Sequence, residues 1–471
     1  MNLKYRGKIL WIDDEIDLLK PHILYLEEKG YVVEKVTNGR DGIIKVEEEN
    51  FDLVLLDQVM PGIDGISTLR EIKEIAPFLH VIMITKNEEE WLMDEAISEK
   101  TAGYLTKPVN PSQIFLACKK VLEEESIIEK KTAGNYLDEF QKIEEMLISA
   151  SKIDDWWALY LKLVNWQIEL ENQKELGLSE TLNEQLRSAN RGFVKFVSKN
   201  YKSWMNNMEV DRPTLSVDLV SDRIAPLLDT NDNILFIVID CLRLDQSLSL
   251  IPFIQENFKI EVDYHVSILP TATPFARNAI FSGCFLGDIQ ENDKDLWSKI
   301  IDDESTMNSV ESQMFGDLLE NITGKEINYI YHKINVAKEG KQFLRHIKEY
   351  RDLSVIALVV NFVDLLTHHR SESDLLQEVI PDEAGYRKLV QTWFSNSWLY
   401  EVLNTAGKMG MKVIITTDHG SKRVRNGVKV SADRETSSGV RYKYGRSLVC
   451  SDKDALVIKR PMEYKLPEIV K

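Results

Sequence analysis

Six residues in the C-terminal half carry side chains that can bind transition metals or attack a phosphorus atom. They are Asp240, Thr273, Asp364, His368, Asp418 and His419. The three aspartates close the apolar segments "ILFIVID", "DLSVIALVVNFVD" and "MKVIITTDHG". One such aspartate could be a turn residue, but three with two histidines and a hydroxyl are better explained by zinc, which accepts these oxygen and nitrogen donors. Paired metal ions can clamp both oxygens of a phosphoryl displacement, so the set predicts a metal-dependent phosphoryl-transfer site.

The spacing of these residues adds two local predictions. His368 lies four residues after Asp364, so a helix starting there would direct its ring back toward the strand end. Thr271 and Thr273 precede an expected helix start, where backbone N–H groups favour an anion. Either threonine could be the reactive hydroxyl, and Thr271 could instead cap the helix.

A second group of polar residues follows the apolar strands at the front of the chain. It consists of Asp13, Asp14, Asp57, Thr85 and Lys107. Three carboxylates in one cleft repel unless a hard cation joins them, and such oxygen ligands suit Mg²⁺. Asp57 can then accept a phosphoryl group, with Lys107 and Thr85 offering contacts to its oxygens. The alternative is an α/β domain with chance acids at its loops.

The elements that must position these residues fall into three parts. Residues 1–122 alternate five short strands with amphipathic helices, which predicts a flavodoxin-like, doubly wound parallel sheet. Residues 123–225 have helix-period hydrophobic positions and predict a helical bundle spacer. Strands return in residues 226–471, which predict a second α/β domain. The fold class is therefore α/β with a helical insert.

Composition excludes several classes of protein. The chain has 471 residues and a net charge of −18, which argues against duplex-DNA binding. No apolar run approaches the roughly 18 residues that span a bilayer, and the first residues lack a signal peptide. A cytoplasmic protein is therefore expected. The four cysteines lack CxxC spacing, which predicts core thiols rather than a zinc knuckle.

The front segment resembles the receiver domain of two-component response regulators. The segments "DDE", "LLDQVMPGIDG", "MIT" and "YLTKP" carry this resemblance. It implies that Asp57 is the phospho-acceptor and that Asp13, Asp14 and Asp57 hold Mg²⁺. It also implies that Tyr104 is the switch aromatic, and that the partner is a sensor histidine kinase.

The C-terminal segment resembles the alkaline-phosphatase superfamily, most closely its phosphodiesterase branch. Thr273 stands ten residues before Gly283, with Ser282 preceding that glycine, as the superfamily nucleophile does. The resemblance implies two zinc ions, the first held by Asp240, Thr273, Asp418 and His419, the second by Asp364 and His368. The family closes its second site with a later histidine, but no histidine follows His419. The expectation is that the domain is truncated at its C-terminus or that the second site is incomplete.

Basic residues near these segments are candidates for binding substrate phosphates. Arg277 follows Thr273 by four residues and could contact a phosphate or be a surface ion-pair partner. Residues 421–446 contain eight basic side chains, Lys422, Arg423, Arg425, Lys429, Arg434, Arg441, Lys443 and Arg446, against Asp433 and Glu435. We assign substrate contacts to Arg277, Lys422 and Arg423. The segment could equally be a solvated loop.

The order of receiver, helical spacer and phosphatase-like domain resembles the PorX-type response regulators, whose effector is a PglZ-type domain. The resemblance implies zinc-dependent cleavage of phosphodiesters in cyclic or linear oligonucleotides and control of type IX secretion. Phosphorylation of Asp57 is expected to drive homodimerisation and so to regulate the effector. A non-catalytic scaffold that docks a sigma factor or secretion components, and a phosphomonoesterase, remain alternatives. Manganese could replace zinc, because such ligand sets accept several metals.

Overall fold

The chain is divided into two compact units in a computed structural model, Met1–Leu137 and Asp138–Lys471. The structure describes residues 5–86, 98–99, 101–172, 176–206, 212–230, 232–300, 308–424, 427–432, 441–445, 447–450 and 455–468. The two units are described separately below.

The first unit contains a parallel five-stranded sheet in the order β2-β1-β3-β4-β5. Its strands are β1 (Gly7–Ile12), β2 (Tyr31–Val36), β3 (Leu53–Asp57), β4 (His80–Thr85) and β5 (Gly103–Thr106). Its helices within the described residues are Lys20–Glu28, Gly39–Glu48, Gly65–Ile75 and the start of Pro111–Ser149. The five strands and the doubly wound order confirm the predicted flavodoxin-like fold.

Local sequence explains the helix starts in this unit. Asn38 accepts a hydrogen bond from the Asp41 backbone, and Asp64 accepts one from Ser67, so each side chain caps its helix. Residues 53 to 56 of β3 are fully buried, which places a hydrophobic strand at the centre of the sheet. Asp57 closes that strand and is delivered to its carboxyl end.

The helical middle of the chain confirms the predicted helical segment. The helix Pro111–Ser149 continues through residues 122 and 123, and Ile153–Glu169 and Leu176–Met205 follow it. Trp156 is buried against the third of these helices. A Cβ on Gly192 would lie 2.6 Å from the Trp156 ring, so only glycine allows the helices to approach this closely.

The rest of the second unit is built on a parallel four-stranded sheet in the order β7-β8-β6-β9. Its strands are β6 (Ile234–Ile239), β7 (Tyr329–Ile334), β8 (Val355–Val360) and β9 (Lys412–Thr416). The helices are Ala225–Leu228, Leu244–Ile254, Thr273–Ser282, Leu286–Asn292, Lys294–Ile300, Glu311–Thr323, Ala337–His346, Phe362–Glu372, Asp374–Val379, Glu383–Ser395 and Trp398–Lys408. Every residue of β6 and β8 is buried, as expected for central parallel strands covered on both faces.

The carboxyl ends of β6, β8 and β9 bring distant chain segments to one edge of the sheet. Asp240 directly follows β6, and Asp418 lies two residues after β9. The expectation that the β8 segment ends in Asp364 is wrong. Strand β8 ends at Val360, and Asp364 is the third residue of the helix Phe362–Glu372, because the apolar run continues into the first helical turn.

The chain turns sharply after Asp240. Cys241 has φ of +66°, a left-handed conformation that is rare outside glycine. This conformation directs its backbone N–H to Asp418 Oδ1, at 3.3 Å. The strained turn therefore ties the loop after β6 to the loop after β9.

A short antiparallel pair completes the second unit, formed by β10 (Val430–Ser431) and β11 (Val449–Cys450). Gly287 donates a backbone hydrogen bond to Lys465 at 2.9 Å, which attaches residues 461–468 to the helix Leu286–Asn292.

Among the described residues, no helix is both long and apolar enough to cross a bilayer.

Candidate metal centre

Four of the six predicted zinc ligands meet at the carboxyl edge of the second sheet. Thr273 Oγ1 lies 2.9 Å from His419 Nε2 and 3.4 Å from Asp240 Oδ1. His419 Nε2 lies 3.5 Å from Asp240 Oδ1 and 3.8 Å from Asp418 Oδ2. One donor atom from each of Asp240, Asp418 and His419 falls within a 4.8 Å cluster. The arrangement gathers a hydroxyl, two carboxylates and an imidazole around one point.

The Asp418 carboxylate has one oxygen satisfied and one free. Oδ1 accepts backbone hydrogen bonds from Cys241 at 3.3 Å and His419 at 2.9 Å. Oδ2 is buried and accepts no hydrogen bond within the described residues. Burial, and then the charge of Asp240, raises the pKa of Asp418 well above its usual range. A cation at Oδ2 would satisfy this oxygen, so the donor set fits a divalent metal.

Asp240 is held in place by a buried arginine. Arg277 Nη1 donates to Asp240 Oδ2 at 2.6 Å, which leaves Oδ1 facing Thr273 and His419. The Arg277 side chain is only 2% exposed. Its Nε donates to Glu311 Oε1 at 2.5 Å. The expectation of a surface ion-pair partner is therefore wrong, because the guanidinium is buried between Asp240 and Glu311. The substrate contact assigned to Arg277 stays a prediction.

Glu311 anchors this arginine and was missed at the sequence level. Its carboxylate also accepts hydrogen bonds from Tyr331 at 2.5 Å and Asn308 at 2.7 Å, and Lys333 lies 3.7 Å away. Glu311 is the first residue of an amphipathic helix, where an acidic residue is usually explained by the helix dipole. No sequence signal distinguishes it from an exposed helix-start glutamate.

The His419 ring is oriented by its own loop. Nδ1 lies 3.1 Å from the Gly420 carbonyl, and donation there leaves the Nε2 lone pair facing Thr273 and the carboxylates. Burial lowers the pKa of His419, although the charge of Asp240 opposes the shift. The ring is therefore neutral at neutral pH, which is the form that binds a metal.

Asp364 and His368 form a separate pair. His368 Nε2 lies 3.6 Å from Asp364 Oδ1, as the four-residue helical spacing predicts. The His368 side chain is 73% exposed, whereas that of Asp364 is 21% exposed. Burial and the nearby charge of Asp240 raise the pKa of Asp364. The pair is thus near the first cluster but supplies only two donors for a second metal.

Arg441, in the basic segment, contacts two loops of the site. Its guanidinium donates to the Thr271 carbonyl, and Nη2 donates to the Gly420 carbonyl at 2.7 Å. Its charge contributes to lowering the pKa of His419. The sequence placed Arg441 among eight similar residues, so its particular role was missed.

Lys422 and Arg423 are exposed and line a cleft of about 990 Å³ that also includes Asp418 and His419. Arg423 Nη1 also donates to the Pro381 carbonyl at 3.2 Å. Of the basic segment, Arg425, Arg434 and Arg446 lie outside the described residues, as do the acidic Asp433 and Glu435.

The receiver carboxylates also cluster at strand ends. One oxygen from each of Asp13, Asp14 and Asp57 falls within 4.8 Å of the others. Lys107 Nζ lies 2.9 Å from Asp13 Oδ2 and 3.1 Å from Asp57 Oδ2. Burial, and then the charge of Asp13, raises the pKa of Asp57. Two buried acids next to an exposed third, with one lysine between them, suit a divalent cation.

The predicted switch residues lie beside this cluster. Thr85 is fully buried at the end of β4, and Tyr104 is half-buried in β5. Parallel pairing places Met83 opposite Tyr104 and Thr85 opposite Thr106. Thr85 therefore lies on β4, the neighbour of the strand that carries Asp57, and Tyr104 lies on the edge strand β5 beyond it.

Three family models match successive parts of the chain. Residues 9–119 match the response regulator receiver domain, residues 126–205 the PorX response regulator linker domain, and residues 219–461 the BREX system PglZ alkaline phosphatase-like domain. The last match covers more than half of the chain. Together they confirm the PorX-type order of domains inferred from the sequence.

Two curated regulatory proteins are similar to part of this chain. The transcriptional regulatory protein ResD of Bacillus subtilis (strain 168) is 37% identical over 119 residues, which are 25% of this chain and 49% of ResD. The regulatory protein VanRc of Enterococcus gallinarum is 30% identical over 135 residues, 29% of this chain and 58% of VanRc. The chain thus spans about half the length of these relatives.

Among solved structures, the CheY-like receiver domain protein from Methanospirillum hungatei JF-1 is similar to this chain. It is 28% identical, with a TM-score of 0.25, and the match covers 26% of this chain and 98% of that one.

Proposed function

Because the chain belongs to the PglZ alkaline phosphatase-like family and carries a response regulator receiver domain, we propose that it is a phosphorylation-controlled, zinc-dependent phosphodiesterase. Its proposed substrates are cyclic or linear oligonucleotides. The observation that carries the proposal is the convergence of Thr273, Asp240, Asp418 and His419 at one sheet edge, with Asp418 Oδ2 buried and unpartnered among the described residues.

In this proposal Asp240, Thr273, Asp418 and His419 hold the first zinc ion, and Asp364 with His368 contributes to a second. Bound zinc would act as a Lewis acid that lowers the pKa of a coordinated hydroxyl and neutralises charge on a phosphoryl group. The residues themselves set the direction of each donor. Arg277 keeps Asp240 Oδ1 turned to the site, and the Gly420 carbonyl keeps His419 Nε2 turned to it.

Thr273 is the proposed nucleophile. Its oxygen forms a bond to the substrate phosphorus, the bond from phosphorus to the leaving alcohol breaks, and water later releases the second product and restores the hydroxyl. Thr273 begins the helix Thr273–Ser282, whose dipole favours the negative charge that develops there. Contacts to His419 and Asp240 favour Thr273 over Thr271 for this role.

At the receiver, Asp57 is the proposed phospho-acceptor, with a sensor histidine kinase as the phosphoryl source. Asp13, Asp14 and Asp57 would hold Mg²⁺, and Lys107 would contact the new phosphate. Phosphate on Asp57 would then shift Thr85 and Tyr104, favour homodimerisation and control the zinc domain, with type IX secretion as the regulated process.

Hydrolysis of bis-p-nitrophenyl phosphate by the zinc-loaded full chain tests the enzyme. We expect Thr273→Ala to lower kcat by at least about a thousandfold, because it removes the nucleophile. Thr273→Ser should retain part of the activity, and Thr271→Ala should retain most of it. Equal rates for Thr273→Ala and the parent protein would refute the proposal, and preference for the mono-ester would indicate a phosphomonoesterase.

Sedimentation of the full chain with an acyl-phosphate donor tests the receiver. The parent protein should form dimers in the presence of Mg²⁺, and Asp57→Ala should remain in its starting state. If Asp57→Ala dimerises as the parent does, and its diesterase rate also responds to the donor, phosphorylation of Asp57 is not the control.

A non-catalytic scaffold is the second candidate, favoured by the exposure of His368 and the two-donor composition of its pair with Asp364. In that case the zinc domain would dock a sigma factor or secretion components. Secretion signalling in cells carrying Thr273→Ala separates the two functions, since only the enzyme needs that hydroxyl.

A further inference from the structure

The cleft of about 990 Å³ at the metal centre has a second wall made by the helical middle of the chain. Asp418 and His419 line one end, and residues of the helices Ile153–Glu169 and Leu176–Met205 line the other. All of these residues belong to the compact unit Asp138–Lys471. A volume near the upper end of the usual range for small-molecule sites, roughly 300–1,000 Å³, is larger than a single phosphate group needs.

Both helices present a strip of mainly polar side chains to the cleft, interrupted by Val164 on the first helix and Leu186 on the second. Tyr160 and Gln167 lie seven residues apart on one helix, and Asn183, Arg187 and Asn190 follow i, i+4, i+7 spacing on the next. Seven residues of helix extend about 10 Å, so the strip continues well past one side chain. The strip is therefore a surface that faces the cleft rather than a single chance contact.

Two members of the strip have defined hydrogen-bonding roles. Tyr160 donates to Asn190 Oδ1 at 2.6 Å, which fixes the amide. Within the described part of the chain, the Asn190 amide nitrogen donates no hydrogen bond, so it is available to an acceptor in the cleft. Arg187 is 45% exposed and pairs with Glu184 at 2.8 Å, a surface contact that a phosphate can displace.

The chemistry of this strip fits single-stranded oligonucleotide. An arginine binds phosphate through paired N–H donors, and carboxamides bind the unpaired edges of bases. Arg243, which also lines the cleft, is already occupied by Asp245 and Glu383, so it adds little positive charge. The positive charge of the cleft therefore comes from Lys422 and Arg423 near the metal centre, and from Arg187, whose exposed pair with Glu184 a phosphate can displace.

We propose that Asn183, Arg187 and Asn190 form a distal subsite that binds the second phosphate and a base of a short single-stranded oligonucleotide. This inference rests on the proposed function, because it supposes that the metal end of the cleft receives the scissile phosphodiester. It assigns length selection to the helical middle of the chain rather than to the phosphatase-like domain.

Binding of fluorescein-labelled trithymidylate to the zinc-loaded Thr273→Ala protein, followed by fluorescence anisotropy, tests the subsite without turnover. Adding Arg187→Ala should weaken binding by about tenfold, the effect of one lost charge-assisted hydrogen bond. Arg191→Ala is the matched control, because Arg191 lies one turn further on, also contacts Glu184 and does not line the cleft. It should change the dissociation constant by less than about twofold.

Asn190→Asp is a second variant that preserves the acceptor for Tyr160 but brings a negative charge to the subsite. It should weaken trithymidylate binding by about fivefold, with the effect reduced at high salt. If Arg187→Ala and Asn190→Asp bind as Arg191→Ala does, the subsite is overturned.

Turnover separates this inference from the proposed function. If the parent protein, which retains Thr273, cleaves neither trithymidylate nor bis-p-nitrophenyl phosphate, the proposed enzymatic activity is refuted. Binding that depends on Arg187 would still support the subsite. If it cleaves both substrates, Arg187→Ala should raise KM more for trithymidylate than for the small diester. Equal changes in the two KM values would refute the subsite but would not contradict the proposed phosphodiesterase activity.

Discussion

Arg277 holds one oxygen of Asp240 at 2.6 Å and thereby turns the other oxygen toward Thr273 and His419. A guanidinium can bridge Asp240 and Glu311 at once, whereas an ammonium is a single point of charge. Asp240 would therefore lose its fixed orientation if Arg277 were replaced by lysine.

We expect Arg277→Lys to weaken zinc binding by about 10- to 100-fold, the usual effect of losing a partner that orients a metal ligand. Competition with a chromophoric chelator measures this affinity. Arg223→Lys is the control, since Arg223 makes an exposed pair with Asp263, which is not one of the proposed ligands. Unchanged affinity in Arg277→Lys would mean that the arginine is only structural.

Asp245 predicts a pH dependence of stability. Burial by itself would raise its pKa, but hydrogen bonds and charge from Arg243 and Arg387 outweigh burial and hold the pKa below its ordinary 3.8. A carboxyl group whose pKa is depressed in the folded state stabilises the fold above pH 3.8. This contribution is lost as the pH falls through the lower pKa of the folded state. Asp245→Asn removes that titration.

We expect Asp245→Asn to lower the free energy of unfolding by about 3 kcal/mol at pH 7, because two buried arginines lose a partner. The difference from the parent protein should shrink as pH drops below 3.8. Urea unfolding at several pH values between 7 and 3 gives both quantities. A difference that stays constant with pH would show that Asp245 does not carry this charge.

Lys107 should govern how strongly magnesium stabilises the receiver. Its ammonium lies between Asp13 and Asp57, and its side chain is 12% exposed. In Lys107→Ala the two buried carboxylates face each other without a cation, so the metal-free receiver should lose about 3 kcal/mol.

Added Mg²⁺ should therefore raise the thermal unfolding midpoint more in Lys107→Ala than in the parent protein. Lys86→Ala is the control, because Lys86 forms an exposed pair with Glu15 at 3.3 Å. A magnesium-induced shift of equal size in all three proteins would contradict the shared-charge interpretation of Asp13, Asp57 and Lys107.

The left-handed backbone conformation of Cys241 predicts which substitutions at this position destabilise the fold most. Its φ of +66° disfavours β-branched residues, while glycine adopts it without strain. We expect the free energy of unfolding of Cys241→Val to be about 2 kcal/mol lower than that of Cys241→Gly, although valine buries more apolar surface than glycine. Equilibrium urea unfolding compares the two, and the reverse order would mean that the turn is not left-handed in solution.

The fold was largely predictable from sequence because its signals are local. Short apolar strands in "LVLLD" and "ILFIVI" are buried on both faces, and the helices between them show a clear apolar period. The receiver was assigned by its resemblance in "DDE", "LLDQVMPGIDG", "MIT" and "YLTKP", and the PglZ-type domain by the resemblance of its site residues and domain order. The family matches confirm both assignments. The helix Pro111–Ser149 carries no sequence signal at residue 122, so its continuity could not be foreseen.

The candidate site was predictable only in part. Asp240 directly follows β6, and Asp418 and His419 come two and three residues after β9, so the pattern located them, and the structure brings them together. Arg277 and Glu311 depend on packing between two helices that the sequence does not pair, which is why neither was assigned to Asp240. Asp364 was placed on a strand because hydrophobic periodicity cannot distinguish the end of a buried strand from the first turn of a buried helix.

The donors of the metal centre come from stretches of chain separated by up to 179 residues, from Asp240 to His419. No fragment that ends before Asp418 can hold all of them, and pairings of such long range are completed late because their loop-closure entropy is large. Metal binding should therefore follow the pairing of β6 with β9 during folding rather than nucleate it. During synthesis, the nascent polypeptide therefore cannot complete the metal centre until His419 has emerged from the ribosome.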